Sequence, residues 1–149
     1  MNSGIELSGL TELQDDLKKA IDLYPDKAEA TLQRQGRLFS NRVKAITEKV
    51  TKEHRGNITK GFKVTKVTGF REKMECHFMA EGRGKKNPHF HLVDQGHDVY
   101  AGGKAGHESV KVGHVAGKHM VQKAYVEYKE EIPKAMERMR DSILKEAGL

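Results

Sequence analysis

Seven of the eight histidines in this 149-residue chain lie between positions 77 and 119. They are His77, His89, His91, His97, His107, His114 and His119. Imidazole is a common ligand of zinc and copper and exchanges protons near neutral pH, so this stretch is the strongest candidate for chemistry. His89 and His91 alternate along a predicted strand, where both rings would share one face and a shared metal ion is geometrically feasible.

The other requirements of a metal centre are poorly met. Three of these histidines lie on glycine-rich backbone, whereas metal ligands need fixed positions and supporting hydrogen-bond partners. Carboxylates are sparse between positions 89 and 119, where they are Asp94, Asp98 and Glu108. Cys76 is the single cysteine, so neither an intrachain disulfide nor a cysteine-based zinc site can form. The sequence therefore predicts no functional metal and no cofactor.

Familiar arrangements of catalytic residues do not fit the chain either. A His-Asn-His nuclease needs its catalytic histidine ahead of a short hairpin and a ligand-bearing helix, and neither His89 nor His114 is followed by that order. Ser109 lies near His107 only because both are in the same predicted loop, which does not indicate a nucleophile and its base. Cys76 is predicted to be a buried and therefore unreactive thiol. We predict no catalytic residue and no enzyme activity, with a histidine-metal hydrolase or nuclease as the second alternative.

The charge and composition of the chain limit its partners. The net charge of +6 and the isoelectric point near 9.4 favour proximity to nucleic acid, but the positive excess is spread along the chain. A dedicated binder usually shows a denser basic run or stacking aromatics, so a basic nucleic-acid-binding module is the first alternative function. There is no signal-peptide pattern and no apolar run near the ~20 residues of a membrane span. We expect a soluble, unexported protein that contacts no membrane.

Two helices are predicted in the first third of the chain. The first carries an apolar stripe at helical spacing, made of Leu10, Leu13, Leu17, Ala20, Ile21 and Tyr24. Pro25 is expected to end it and to begin a second, long helix that runs from about Asp26 to His54. The second helix carries a heptad seam made of Leu32, Gly36, Phe39, Val43, Ile46 and Val50. This seam packs either along the chain's own sheet or partly against a neighbouring subunit.

The middle of the chain is predicted to be a small antiparallel sheet followed by a long glycine-rich loop. Alternation from Met74 to Ala80 indicates a half-buried strand with Cys76 facing inward. An earlier strand is indicated by Phe62, Val64 and either Val67 or Thr68, with Gly61 and Gly69 as its limits, and residues 89–92 indicate a third strand. Glycines punctuate residues 96–117, which predicts a long loop containing at most a short hairpin around residues 110–112.

The C-terminal segment is predicted to be helical, with an apolar stripe from Met120 to Ala147. It should kink near Glu130 to Pro133 or consist of two consecutive helices, because proline lacks the backbone N–H. The whole chain, residues 1–149, is predicted to be a single α+β domain.

Two short motifs resemble a known family. Residues 91–97 (HLVDQGH) resemble the neck or tail-completion proteins of long-tailed phages, whose sheet strand reads His-Leu-Val-Glu-x-Gly followed by His or Thr. Residues 113–121 (GHVAGKHMV) resemble the same family's Gly-x-Val-x-Gly entry to its last helix. Residues 55–61 are similar to the family's Thr-Gly-x-Leu-x-x-Ser junction but lack the usual Pro-Val-Asp before the glycine. The order of predicted elements also agrees with the family.

The resemblance implies a virion structural protein without catalytic activity. Such a protein waits in the host cytoplasm and then forms a homo-oligomeric ring, of six subunits, between the head connector and the tail-terminator or tail-tube proteins. Genomic DNA would pass through the ring, and basic side chains that could contact it without sequence specificity are Arg83, Lys85, Lys86, Lys104 and Lys111. A merely solvated basic loop is the alternative. Candidate subunit contacts are Gly36, Phe39, Val43, His97, Val99, Tyr100 and His119.

Overall fold

The computed structural model describes residues 8–51, 58–70, 73–80, 89–103 and 108–149. Its helices are α1 (Ser8–Thr51), α2 (Phe90–Gln95), α3 (Met120–Tyr128) and α4 (Glu131–Ala147). Its strands are β1 (Phe62–Val64), β2 (Phe78–Ala80), β3 (Gly96–Ala101) and β4 (Val110–Ala116). The strands form two antiparallel pairs, β1 with β2 and β3 with β4. The predicted α+β class is confirmed.

The chain divides into two compact units. Unit 1 contains residues 1–35, 66–76 and 130–149, and unit 2 contains residues 36–65 and 77–129. Unit 1 therefore holds the first part of α1 and all of α4, whereas unit 2 holds the rest of α1, α2, α3 and the four strands. Across the described ranges, every helix is too short or too polar to span a bilayer. The single-domain organisation stays a prediction.

Helix α1 continues through Pro25, so the two helices predicted on either side of this residue are one. A proline inside a helix removes a hydrogen bond and crowds the preceding turn, which costs about 3 kcal/mol. Contacts with α4 lie on both sides of Pro25. Ile21 and Tyr24 line a groove with α4, and Lys27 forms an ion pair with Glu146. The predicted helix end at Pro25 is therefore wrong.

The heptad seam of α1 forms one side of the core of unit 2. The buried side chains of this core are Val43, Phe90, Met120 and Ala124, all at most 5% exposed. Partly buried apolar residues pack around them, among them Phe39, Ile46, Val50, Phe62, Phe78 and Val93. The Phe39 ring meets the Phe78 ring edge-on, with centroids 5.7 Å apart. Within unit 2, the seam thus packs against this chain's own strands and α3.

The alternation predicted for residues 74–80 is confirmed, because half-buried and exposed side chains alternate without interruption. The regular β ladder is shorter than the alternation and covers only Phe78–Ala80. Cys76 is half-buried, and its Sγ lies 3.4 Å from the carbonyl oxygen of Leu32. Burial raises the pKa of the Cys76 thiol, which makes the reactive thiolate scarcer.

Two local predictions between residues 89 and 117 are wrong. The segment predicted as a third strand forms α2, because Phe90 and Val93, three positions apart, both contact the core of unit 2. The glycine-rich segment predicted as a long loop is largely the β3–β4 hairpin, with six residues in β3 and seven in β4. Valines at positions 99, 110, 112 and 115 favour extended backbone, and this outweighs the glycines between them.

The C-terminal segment consists of two consecutive helices, as one of the two alternatives predicted. α3 ends at Tyr128 and α4 begins at Glu131, so the break lies at the start of the expected kink region. Pro133 occupies the first turn of α4, where its missing N–H would have had no partner inside the helix. α4 buries Ala135, Ile143 and Ala147 in unit 1.

Candidate functional site at the base of the hairpin

The two motifs that carry the family resemblance contact each other in unit 2. The first covers α2 and the beginning of β3, and the second covers the end of β4 and the start of α3. The backbone N–H of Lys118 donates to the carbonyl oxygen of Val93 at 2.9 Å, and that of His119 donates to Asp94 at the same distance. These bonds join the end of α2 to the connection between β4 and α3. The first motif differs from the family pattern in its secondary structure. Residues 91–95 are helical in this chain, and only Gly96 and His97 of the motif belong to a strand.

Two glycines make this contact sterically feasible. A Cβ on Gly117 would lie 2.5–2.7 Å from backbone atoms of Asp94 and Gln95. A Cβ on Gly96 would lie 2.6 Å from the backbone of Val115 and Gly117, and the φ of Gly96 is +84°. Both positions therefore need glycine, because the two backbones approach too closely for any side chain.

Asp94 caps α3 from a distant part of the sequence. Its Oδ1 accepts the backbone N–H groups of Met120 at 2.5 Å and of Val121 at 3.2 Å. A carboxylate at this end of a helix satisfies free amides and interacts favourably with the helix dipole. His119, at the N-cap position itself, has left-handed backbone (φ +51°) and makes no side-chain cap. Sequence reasoning treated Asp94 only as a sparse carboxylate and missed this role.

The β3–β4 hairpin has one apolar face. In the register of β3 and β4, Val99 lies opposite Gly113, and His97 opposite Val115. Val99, Val110 and Val115 are 38%, 63% and 44% exposed. Each strand has a single neighbouring strand within the described residues, so one edge of each is also unpaired. Apolar side chains and free edges together are typical of a β-structure that pairs with another chain.

The opposite face of the hairpin is polar and held by an ionic cluster. Asp98 Oδ2 lies 2.8 Å from Nζ of Lys111, and Asp98 Oδ1 lies 2.7 Å from Nδ1 of His114. The hydrogen bond from Lys111, and then the one from His114, hold the pKa of the Asp98 carboxyl below its ordinary value. The cluster fixes the relative position of β3 and β4 on this face.

The candidate DNA contacts are mostly outside the described residues. Arg83, Lys85, Lys86 and Lys104 lie in the segments 81–88 and 104–107. Lys111 is exposed on β4, where it is paired with Asp98. Its contact with DNA stays a prediction, and it would require exchange of this ion pair.

The candidate subunit contacts separate into two groups. Val43 is fully buried in the core of unit 2, and Phe39 packs against the same core. These two side chains therefore make their contacts within the chain. Gly36 is half-buried on the same helix.

Val99, Tyr100 and His119 are exposed around the hairpin and its base, where a neighbouring chain can reach them. His97 is half-buried, with its Nδ1 3.4 Å from the carbonyl oxygen of Leu92. The structure thus brings the second group together in one region and uses the first group for internal packing.

The histidines are not gathered into a ligand set in the described part of the chain. His89 lies in a turn and His91 in α2, so the strand face that the two were predicted to share does not exist. Among the described residues, no group of three or more His, Cys, Asp or Glu side chains is placed to hold a metal ion. His107 and His54 lie outside these residues.

Comparisons of the chain with protein-family models, with curated proteins and with solved structures gave no match. The resemblance to tail-completion proteins therefore rests on the motifs themselves.

Proposed function

We propose that this chain is a structural component of a tailed-phage virion, a neck or tail-completion protein. It forms a homo-oligomeric ring at the head-to-tail junction and docks with the adjacent connector and tail proteins. It resides in the neck or tail of the virion, and in the host cytoplasm before assembly. The proposal assigns it no catalytic residue, metal or cofactor.

The observation that supports this proposal is the contact between the two motifs at the base of an uncovered hairpin. Motifs separated in sequence resemble the same family, and in unit 2 they touch through Gly96, Gly117 and the cap from Asp94. A packed base of this kind would hold the hairpin in a fixed direction. A protein that assembles into a ring needs such a rigid projection more than it needs a pocket.

The energetics of the hairpin also favour docking on a neighbouring chain. A two-stranded hairpin is marginally stable by itself in water. Fully burying a valine side chain contributes about 1.5–3 kcal/mol, so covering the half-exposed Val99, Val110 and Val115 would contribute roughly 3 kcal/mol in all. In the proposed assembly, a neighbouring subunit or a partner ring would bury these three valine side chains.

The charge of unit 2 supports a position near DNA. Unit 2 contains 16 basic and 7 acidic side chains, a net charge of +9, whereas unit 1 contains 11 basic and 14 acidic, a net charge of −3. A surface of this sign attracts phosphates without reading their sequence. This suits a lumen through which a genome of any sequence passes.

Mass spectrometry of virions purified from a host that carries the gene tests the proposal directly. We expect the chain as a stoichiometric component, and electron microscopy of particles lacking it should show heads and tails that have not joined. Absence of the chain from virions, or normal joining without it, would contradict the proposal.

A pair of valine substitutions tests the role of the hairpin. Val110→Asp places a charge on its apolar face, and we expect it to abolish incorporation into particles. Val126→Asp is the matched control, because Val126 is similarly exposed at 53% but lies on α3. Equal incorporation of both variants would mean that the hairpin face is not the docking surface.

The net charge of unit 2 also keeps the basic nucleic-acid-binding module as a second candidate. Filter binding of free DNA at increasing salt separates the two functions. A virion adaptor should bind free DNA weakly and lose this binding as salt rises, whereas tight binding by the isolated chain would favour the second candidate.

A further inference from the structure

The β3–β4 hairpin has two outer edges that no strand among the described residues covers. Val99, Tyr100 and Ala101 of β3 are exposed, and so is every residue of β4 except the half-buried Gly113. The backbone N–H and C=O groups along an edge of this kind can pair with a strand of another chain. The two edges are therefore a candidate interaction surface in addition to the apolar face of the hairpin.

The charged side chains of the hairpin are divided between its two strands. β3 has one carboxylate, Asp98, and no lysine or arginine, whereas β4 has Lys111 and His114 and no carboxylate. All three side chains lie on the polar face, where Asp98 contacts both partners across the strand pair. The outer edge of β3 is thus the acidic side of the hairpin, and the outer edge of β4 is its basic side.

These charges distinguish three ways in which two hairpins can pair edge to edge. Two antiparallel β4 strands would bring Lys111 and His114 of one copy beside those of the other, on the same face of the sheet. Two antiparallel β3 strands would bring the two Asp98 carboxylates together. β3 beside β4 brings unlike charges together, and unlike charges on neighbouring strands are stabilising whereas like charges are destabilising.

A bulge limits the length of such a contact. The register of β3 and β4 shifts between Val99 and Tyr100, and Val112 is the extra residue of β4 at this point. Bulges and lysines protect the edges of sheets from indiscriminate pairing. Lys111 would therefore repel a second β4 strand but accept a strand that carries a carboxylate.

We infer that the outer edge of β3 in one copy pairs with the outer edge of β4 in a second copy, with Asp98 of the first beside Lys111 and His114 of the second. The inference rests on the proposed function and deepens it, because it names the partner of the hairpin as another copy of this chain. The two edges differ, so each copy keeps one free edge for a further copy. Contacts of this type build rings when the rotation between copies closes.

Swapping the charges of the hairpin tests the direction of the contact. Asp98→Lys with Lys111→Asp keeps an ion pair within each copy, so the charge-swapped chain should self-associate within about twofold of wild type in sedimentation velocity at low salt. Beside a wild-type chain, it would place lysine next to lysine or carboxylate next to carboxylate. Native mass spectrometry of a mixture should therefore show contacts between unlike chains that are about tenfold weaker than those between identical chains.

The other ways of pairing predict the opposite result. If β4 paired with β4, mixed species would be favoured, because the lysine of one chain would lie beside the new carboxylate of the other. The matched control is Lys44→Glu with Glu48→Lys, which swaps the charges of an ion pair on α1. This control chain should mix with wild type at random.

Hydrogen exchange of the wild-type chain tests the backbone contact without any substitution. Amides of β3 and β4 should exchange more slowly at a concentration at which the chain is associated than at one at which it is monomeric. Amides of α4 in unit 1 serve as the control and should not change. This measurement decides the inference if the charge-swapped chain does not fold, which circular dichroism would show.

Three results would overturn the inference: a wild-type chain that stays monomeric at low salt and at the highest attainable concentration, random or preferred mixing of the wild-type and charge-swapped chains, or unchanged hydrogen exchange in β3 and β4 on association. None of them bears on the presence of the chain in virions, which tests the proposed function separately. Self-sorting by a chain that is missing from virions would keep the contact and remove the function.

Discussion

The two units of this chain are stabilised differently. The largest fully buried side chains are Met120, Val43 and Thr47, all in unit 2. Unit 1 buries mainly alanines, with Ile143 the one large buried side chain among its described residues. Unit 1 thus leaves much of its apolar surface exposed.

Charge separates the two units as well. All eight histidines and a net charge of +9 belong to unit 2, and a net charge of −3 belongs to unit 1. The positive excess is spread along the sequence of unit 2, from residue 36 to residue 129, and is absent from unit 1. Unit 2 thus has the more deeply buried core and a positive net charge, whereas unit 1 buries fewer large side chains and has a negative net charge.

The largest effect is expected at the glycine that joins the two motifs. Gly117→Ala would bring a Cβ within 2.7 Å of the backbone of Asp94 and Gln95, so we expect a loss of roughly 4 kcal/mol in the free energy of unfolding of unit 2. Gly113→Ala is the control, because nothing lies within 4 Å of a Cβ there. Urea denaturation followed by circular dichroism measures both, and equal effects would contradict the close approach.

The difference in core depth predicts a second contrast. Met120→Ala should destabilise unit 2 by about 2–5 kcal/mol, because Met120 is fully buried. Ile143→Ala should cost unit 1 less, because Ile143 lines a groove that is open to water. Hydrogen exchange of amides in α3 and in α4 measures the two losses separately. A larger loss of stability from Ile143→Ala than from Met120→Ala would contradict the deeper core of unit 2.

The cap on α3 should give an intermediate effect. Asp94→Ala removes the acceptor of the Met120 and Val121 amides, and we expect a loss of about 1–2 kcal/mol with increased exchange at the start of α3. Asp94→Asn keeps an acceptor oxygen without the charge and should lose less. If the two variants are equal, the charge of Asp94 carries the whole contribution of the cap.

The smallest effects concern pH. The pKa of Asp98 in unit 2 is lowered, first by the hydrogen bond from Lys111, and the pKa of Glu146 in unit 1 is lowered, first by the hydrogen bond from Lys27. A lowered folded-state pKa contributes stability that is present above the unfolded pKa and lost as pH falls through the folded pKa.

Asp98→Asn should therefore slightly reduce the loss of unfolding free energy that unit 2 shows as pH falls. Glu146→Gln should do the same for unit 1. Chemical denaturation from neutral to acid pH would show this as a flatter curve for each variant than for wild type. A curve that is steeper than wild type would contradict the sign.

Sequence patterns predicted the parts of the fold that burial controls locally. The alternation from Met74 to Ala80 and the heptad seam around Val43 are correct because their periods follow the face that each element buries. Pro25 was misjudged because contacts with α4, distant in sequence, decide whether the helix continues there.

The candidate site was only partly predictable. The motifs at residues 91–97 and 113–121 were identified from the sequence, but their contact was not. Asp94 acts on an amide 26 positions away, and no local pattern reports such a pairing. The hairpin was predicted only as a short one around residues 110–112, because its glycines indicated a loop, whereas the strand tendency of its valines takes effect only once β3 and β4 pair.

The three-part composition of unit 1 has a consequence for folding of the protein. The ion pair between Lys27 and Glu146 joins residues 119 positions apart, whereas the paired residues of the β3–β4 hairpin are close together in the sequence. Loop closure costs more entropy as the closed segment lengthens, and we therefore expect the contacts between α1 and α4 to form after the hairpin.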